Sequence, residues 1–317
     1  MDAEQLKTLR VAVLAGGWSD ERDISMQSGT QCRQALLDAG FVQVDLYDIA
    51  EKDFPQRLVA GGYDVAFPAL HGRYGEDGCI QGFLEILHIP YAFSGVLASA
   101  LATEKEFAKA VYRSAGIRAP RGFDMRPGTV LTEEQVDAVI QNLGLPLFVK
   151  PCGNGSSFGI SRVNSREELA AAIELAGSAG QRVLVEECIE GTEITVPVVG
   201  NDEPEALPVV EIAYDAEFYD LKVKYEPSAL HHIIPARLSP EVYALAQDMA
   251  CRAHKALGCR GCSRSDFIVT AAGEPIILET NTIPGMTASS LLPDSARHAG
   301  IEFPQLCTRF IELALEA

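Results

Sequence analysis

The stretch SRSDFIVTAAGEPIILETN, residues 263–281, sets Arg264, Asp266, Glu279 and Asn281 into two short apolar runs around a turn. Side chains two apart on a strand share a face, so Arg264 goes with Asp266 and Glu279 with Asn281. If the runs pair across TAAGEP, all four groups converge. Two carboxylates and an amide oxygen are hard ligands suited to Mg²⁺, and a guanidinium beside them suits a developing oxyanion. A half-exposed sheet with a solvated face carries the same alternation.

Other stretches offer charge for an anionic ligand. FVKPCGNGSSFGISRV places a glycine- and serine-rich loop between a strand ending at Lys150 and one starting near Ile160. Such a loop closes on phosphates through backbone N–H groups and hydroxyls, but it fits neither the Walker A pattern nor G-x-G-x-x-G, and a plain turn reads equally well. Lys105 falls in the first turn of a helix, where the dipole disfavours a cation. Lys150 ends an apolar strand. Each lysine either meets an anion or snorkels to the surface. VLVEECIEGTEITV puts Glu186 at one strand end and Glu193 at the next strand's start, across a short linker containing Gly191. Acids on both sides of a hinge suit the adenine and ribose of a nucleotide, as do solvated glutamates suit a surface. FYDLKVKY, followed by HHIIPARL, is a long irregular segment with Lys224 and Tyr225, either a lid or a surface loop.

The elements that must position these groups begin with alternating strands and helices over residues 10–95, the pattern of a parallel sheet whose ligand loops follow the strand C-termini. That alternation includes IPYAFSG as a strand. Thr103 with Glu106, Thr132 with Gln135, and Ser165 with Glu168 fit capping boxes. Strands are expected near 193–199 and 207–213, a helix from Ser239-Pro240 to Leu257, and a terminal helix from about Ser289.

The whole chain sets limits. Its 317 residues suggest two or three domains at ~150 residues each. A formal charge of -18, from 26 basic and 44 acidic residues, disfavours nucleic acid and acidic membranes as partners. No signal peptide and no run of ~18 apolar residues is visible, which points to the cytoplasm. The eight cysteines then read as free buried thiols. Cys259 and Cys262 form one C-x-x-C without the second pair that zinc needs. His231 and His232 are adjacent, and on a strand they face opposite ways.

In order along the chain, VLAGGWSDERDIS, HGRYGEDGCIQG, YAFSGVLASALATEK, VKPCGNGSSFG, VEECIEGTEITV, FYDLKVKY, SRSDF and LETNTIPGMTASSLLP resemble the D-alanine:D-alanine ligase family of ATP-grasp enzymes. The resemblance implies an α/β ATP-grasp fold with an N-terminal doubly wound parallel-sheet domain (1–95), a central domain (96–187) and a C-terminal domain (188–317). It implies ATP contacts from Lys105, Lys150, Ser156 and Lys224, adenine contacts from Glu186 and the Ile189 backbone, and a ribose contact from Glu193. Asp266, Glu279 and Asn281 correspond to magnesium ligands, for two Mg²⁺ ions with Mn²⁺ as the alternative. Glu21 and His71 resemble contacts to a first D-alanine, with Glu21 facing its ammonium. Arg264 and the Gly285 N–H correspond to oxyanion donors, while Ser290 and the Leu291 N–H receive a second carboxylate at a helix N-terminus.

The implied activity is ATP-dependent joining of two D-alanines through an acyl phosphate, for peptidoglycan synthesis, by a cytoplasmic homodimer. Tyr225 in the mobile loop resembles dipeptide-forming ligases, whereas D-lactate users generally carry histidine there. The alternative is a ligase of D-alanine with D-serine, or of L-amino acids. Two positions depart from the pattern: Asn154 stands for the usual acid, and Glu187 for a frequent base.

Overall fold

The structure is a computed structural model that describes residues 2–153, 159–178, 180–214 and 230–316. The first sheet is parallel. Strand β1 (Arg10–Ala15) lies between β2 (Gln43–Asp48) and β3 (Val65–Pro68). Around them run helices α1 (Ala3–Lys7), α2 (Arg22–Asp38), α3 (Phe54–Gly61) and α4 (Cys79–Ile86). Five of the six β1 residues are buried, because alternate side chains enter cores on both faces: Val11 and Val13 on one, Ala12 and Leu14 on the other. IPYAFSG does not form the expected strand. It makes a single parallel bridge, Tyr91 to Ala66, and then Phe93 takes a φ of 74° and turns the chain away.

Helices α5 (Val96–Thr103) and α6 (Lys105–Ser114) follow, then β4 (Gly122–Met125), α7 (Glu133–Leu143), β5 (Leu147–Pro151), β6 (Ser161–Val163), α8 (Glu168–Gly177) and β7 (Val183–Glu187). The strands form an antiparallel sheet in the order β4-β7-β5-β6, with Val136, Leu169 and Val185 in its core. The third sheet joins β8 (Thr192–Val199), β9 (Glu205–Ala206), β10 (Val210–Tyr214), β11 (Leu230–Ile233), β12 (Cys262–Val269) and β13 (Pro275–Asn281). Its order is β11-β10-β8-β12-β13, with β9 against β8, and α9 (Pro240–Leu257) covers it.

Packing cuts across sequence order at two places. Ala98, Ala108 and Tyr112 share a core with Ile194, Phe267 and Ile277 of the third sheet, so α5 and α6 belong with that sheet although they precede the second one. At the C-terminus the single expected helix is two, α10 (Leu291–His298) and α11 (Phe303–Glu316). Gly300 between them takes a φ of 82°, which a right-handed helix cannot continue through. Helix α11 returns under the first sheet, where the Phe310 ring lies 5.1 Å from Phe93 and 6.4 Å from Phe67.

One of the three capping boxes forms as expected, Thr132 with Gln135. Thr103 is the last residue of α5 and has no extended backbone with which to cap; Glu104 is the N-cap of α6, and the Thr103 hydroxyl donates to Glu76 O at 2.8 Å. Likewise Glu167, not Ser165, precedes α8, and the Glu168 carboxylate accepts the Asn164 N–H at 2.8 Å.

Candidate active site

The hairpin of β12 and β13 brings its four polar groups together. Asp266 stands opposite Glu279 and Arg264 opposite Asn281, with a bulge immediately after Asp266. Arg264 donates to both Asp266 oxygens, at 3.0 and 2.8 Å, and Asn281 Nδ2 donates to one of them at 3.2 Å. On the other side of β12, Thr195 Oγ1 donates to Asp266 at 2.5 Å. Glu279 takes the Lys105 ammonium at 3.1 Å. Burial raises the Glu279 carboxyl, but the ammoniums of Lys105 and Lys150, with Arg264, override it and hold it down to about 2.

Lys105 is the first residue of α6, and its backbone N–H donates to Cys152 O at 3.2 Å, at the entrance to the glycine-serine loop. Lys150 sits in β5 and Glu186 in the neighbouring β7, on paired strands. Their side chains form an ion pair, and a second ammonium, that of Lys109, closes on the same Glu186 carboxylate. The Lys109 side chain is 1% exposed and that of Glu186 3%. Burial and the nearby Lys105 ammonium press Lys150 down to about 8, against the pull of Glu279. Reading the sequence for chemistry missed Lys109. It lies four residues after Lys105 and therefore on the same helix face, a spacing that does not by itself separate a buried lysine from a solvent-facing one.

Residues 188–191 join β7 of the second sheet to β8 of the third and carry half-buried Ile189. A side chain at Gly191 would collide with the Val269 carbonyl, so the connection hugs the hairpin only because this residue has none. Glu193 follows on β8, opposite Ile268. Glu187 has a partner of its own: Arg121 binds it through its side chain at 2.7 Å and through its backbone N–H at 2.9 Å.

A second group gathers at the C-terminal end of the first sheet. Glu21 is the N-cap of α2 but makes no side-chain capping hydrogen bond. Its Oε2 lies 3.4 Å from where a Cβ on Gly72 would stand, next to His71. His71 is buried, with Nε2 3.3 Å from Ser28 Oγ, and its carbonyl accepts from Ser19 Oγ at 2.7 Å. Gly285 faces Ser290, the N-cap of α10, whose Oγ lies 2.7 Å from Thr287 Oγ1. Helix α2 reaches this loop directly: Gln31 Oε1 accepts the Ala288 N–H at 2.8 Å, and Cys32 Sγ donates to Met286 O at 3.6 Å. Neither Gln31 nor Cys32 stands out in sequence.

Ser156, Lys224 and Tyr225, with Asn154, lie outside the described residues. His232 on β11 contacts Asp294 of α10 at 2.9 Å through Nδ1, while His231 is exposed. All eight cysteines are free, but not all are buried as expected: Cys259 and Cys262 are, whereas Cys79 is exposed and Cys188 and Cys251 are half-buried. Among the described residues no group of three His, Cys, Asp or Glu could hold a metal. The donor set nonetheless fits Mg²⁺, which is characteristically held by one or two carboxylates and completed by substrate phosphates. Asp266 and Glu279 supply those two carboxylates on facing strands, each neutralised here by a cationic side chain.

Comparison with known proteins bears on this arrangement. The family model described as D-ala D-ala ligase C-terminus matches residues 112–312, and that for the D-ala D-ala ligase N-terminus matches residues 53–94. A D-alanine–D-alanine ligase of Desulforamulus reducens is 45% identical, with 97% of this chain and 99% of that protein covered. Its counterpart from Syntrophobacter fumaroxidans is 48% identical, over 97% of this chain and 98% of its own. Among solved structures, the D-alanine–D-alanine ligase of Bacillus anthracis complexed with ATP superposes with a TM-score of 0.83 at 32% identity, covering 98% of each chain. The VanG D-Ala:D-Ser ligase of Enterococcus faecalis gives 0.82 at 33% identity, over 97% of this chain and 99% of its own.

Proposed function

The chain belongs to the D-alanine–D-alanine ligase family, and from that premise we propose a role for each group in the cleft. The reaction is the ATP-dependent, ADP-forming union of two D-alanines into D-alanyl-D-alanine for peptidoglycan synthesis, on an ATP-grasp fold. ATP occupies the gap between the second and third sheets. Glu186 and the Ile189 backbone take the adenine and Glu193 the ribose. Lys105, Lys150, Ser156 and Lys224 take the phosphates. Asp266, Glu279 and Asn281 would hold two Mg²⁺ ions, which would supply positive charge to offset that of the phosphates.

Glu21 pairs with the ammonium of the first D-alanine and His71 lines its pocket. That substrate's carboxylate oxygen attacks the γ-phosphorus; a C–O–P bond forms, the bond to the β-phosphate oxygen breaks, and ADP departs. The amine of the second D-alanine, held by Ser290 and the Leu291 N–H through its carboxylate, attacks the acyl carbon. Arg264 and the Gly285 N–H stabilise the tetrahedral oxyanion before inorganic phosphate leaves and the amine sheds its proton. Tyr225 suits formation of a dipeptide rather than a depsipeptide. The enzyme works as a cytoplasmic homodimer whose three units are residues 1–95, 96–187 and 188–317, with α5 and α6 of the second packing on the sheet of the third. No helix among the described residues is long and apolar enough to cross a membrane.

The observation that carries this reading is the facing pair Asp266 and Glu279 beside the Lys105 and Lys150 ammoniums. The test is phosphate release from Mg-ATP with D-alanine, L-alanine, D-serine or D-lactate, with mass spectrometry of the products. D-Alanyl-D-alanine and phosphate in equal amounts, from D-alanine alone, are expected. Mixed product with D-serine would instead favour the D-Ala:D-Ser relative's specificity.

A further inference from the structure

Lys109 is a buried charge that the reaction above does not use. Its side chain is 1% exposed, its ammonium touches one oxygen of Glu186, and Lys150 touches the other. Burial, reinforced by the ammoniums of Lys150 and Lys105, pushes Lys109 well below the ordinary lysine range, against the pull of Glu106 and Glu279. Without its exposed route Lys109 cannot follow a ligand. Lys150 stands nearer solvent, its side chain 11% exposed, at the strand end that opens into the glycine-serine loop.

We propose that Lys109 is a positioning residue for ATP binding: it remains as the resident counter-ion of Glu186 and so releases Lys150 to exchange that carboxylate for the nucleotide's phosphates. The physical reason is the cost of a bare buried carboxylate. Were Lys150 the sole partner, turning it toward ATP would strand Glu186 in a dry site, and removing one member of a buried pair costs several kcal/mol. With Lys109 in place the carboxylate keeps a partner throughout, and only the second ion pair is exchanged. The inference rests on Lys150 binding phosphate, as assigned above.

Its test compares ATP with adenosine, which needs the same pocket but has no phosphate to draw Lys150 away. Lys109→Met should weaken ATP binding and raise KM for ATP on the order of 10- to 100-fold, with little change in adenosine affinity or in kcat. In a Glu186→Gln background there is no carboxylate to strand, so adding Lys109→Met should change neither. Lys109→Arg should restore ATP binding. An equal loss for ATP and adenosine, or an equal loss in both backgrounds, would mean that Lys109 merely packs the site and would overturn the proposal. If Lys109→Met alone does not fold, the double variant decides: it should match Glu186→Gln in ATP affinity, and weaker binding sinks the idea. Lys150→Ala separates the two levels. If it does not weaken ATP relative to adenosine, the phosphate role of Lys150 fails; if it does while Lys109→Met is silent, only the role of Lys109 fails.

Discussion

The two halves of the site are built from different materials. Between the second and third sheets the chemistry rests on buried charge: Lys105 on Glu279, Lys150 and Lys109 on Glu186, Arg264 on Asp266. Around the first sheet and α10 the fixed points are mainly neutral, namely the Gln31 amide, the Cys32 thiol, the Thr287 and Ser290 hydroxyls and the backbone they hold. The first kind suits ATP, whose phosphate charge can replace the carboxylate partner of Lys105 and of Lys150. The second suits a small zwitterion, which needs exact placement more than it needs charge. Substitutions in the first half should therefore abolish turnover or nucleotide binding, and substitutions in the second should shift amino-acid KM values by smaller factors.

The largest expected effect is at the hairpin. Asp266→Asn keeps the shape but removes a hard anionic ligand and half of the Arg264 ion pair. Turnover should fall on the order of 1,000-fold or more, read by phosphate release at saturating Mg-ATP and D-alanine. Arg264→Met leaves both carboxylates and removes an oxyanion donor, so kcat should fall about 100- to 1,000-fold. A KM for ATP that rose instead, with kcat intact, would make Arg264 a nucleotide contact rather than an oxyanion donor.

A pH series sharpens the nucleotide half. Lys150 is held down to about 8, and phosphate next to it must raise that value. ATP therefore binds best to the protonated lysine, and its affinity should be level below pH 8 and fall by up to tenfold per pH unit above it. KM for D-alanine, governed by the neutral half, should not follow that curve. A flat KM for ATP up to pH 9.5 would break the account of Lys150.

These contrasts track what could be read from the chain. Arg264, Asp266, Glu279 and Asn281 were legible because strand alternation predicts the shared face and the turn predicts the register, and the observed bulge falls just beyond the pair that matters. Lys109 was not, because a lysine at helical spacing looks the same whether it faces water or a buried glutamate. Periodicity also identifies a helix without naming its partner, so nothing in α5 and α6 announced that they would pack on the third sheet. Capping residues misled at Thr103 for a related reason: the motif was correct locally, but the preceding helix had already claimed its backbone. The neutral contacts of Gln31 and Cys32 span more than 250 residues and involve main-chain atoms, which carry no sequence signature.

The smallest effect isolates that neutral half. Gln31 touches the Ala288 N–H through a side-chain oxygen at a surface position, so replacing it threatens neither core nor charge cluster. Gln31→Leu deletes one neutral hydrogen bond, worth about 1 kcal/mol, and should raise KM for the second D-alanine roughly fivefold while KM for ATP stays put. Gln31→Glu keeps the acceptor and should restore the native value, although it adds a negative charge. That restoration is the informative arm. If the glutamate variant behaves like leucine, charge matters on this side as well, and the loop from Gly285 to Ser290 is held electrostatically like the nucleotide cleft. If it behaves like glutamine, a single acceptor on the helix that begins beside Glu21 positions the loop for the second amino acid, and the two substrate pockets are joined through α2.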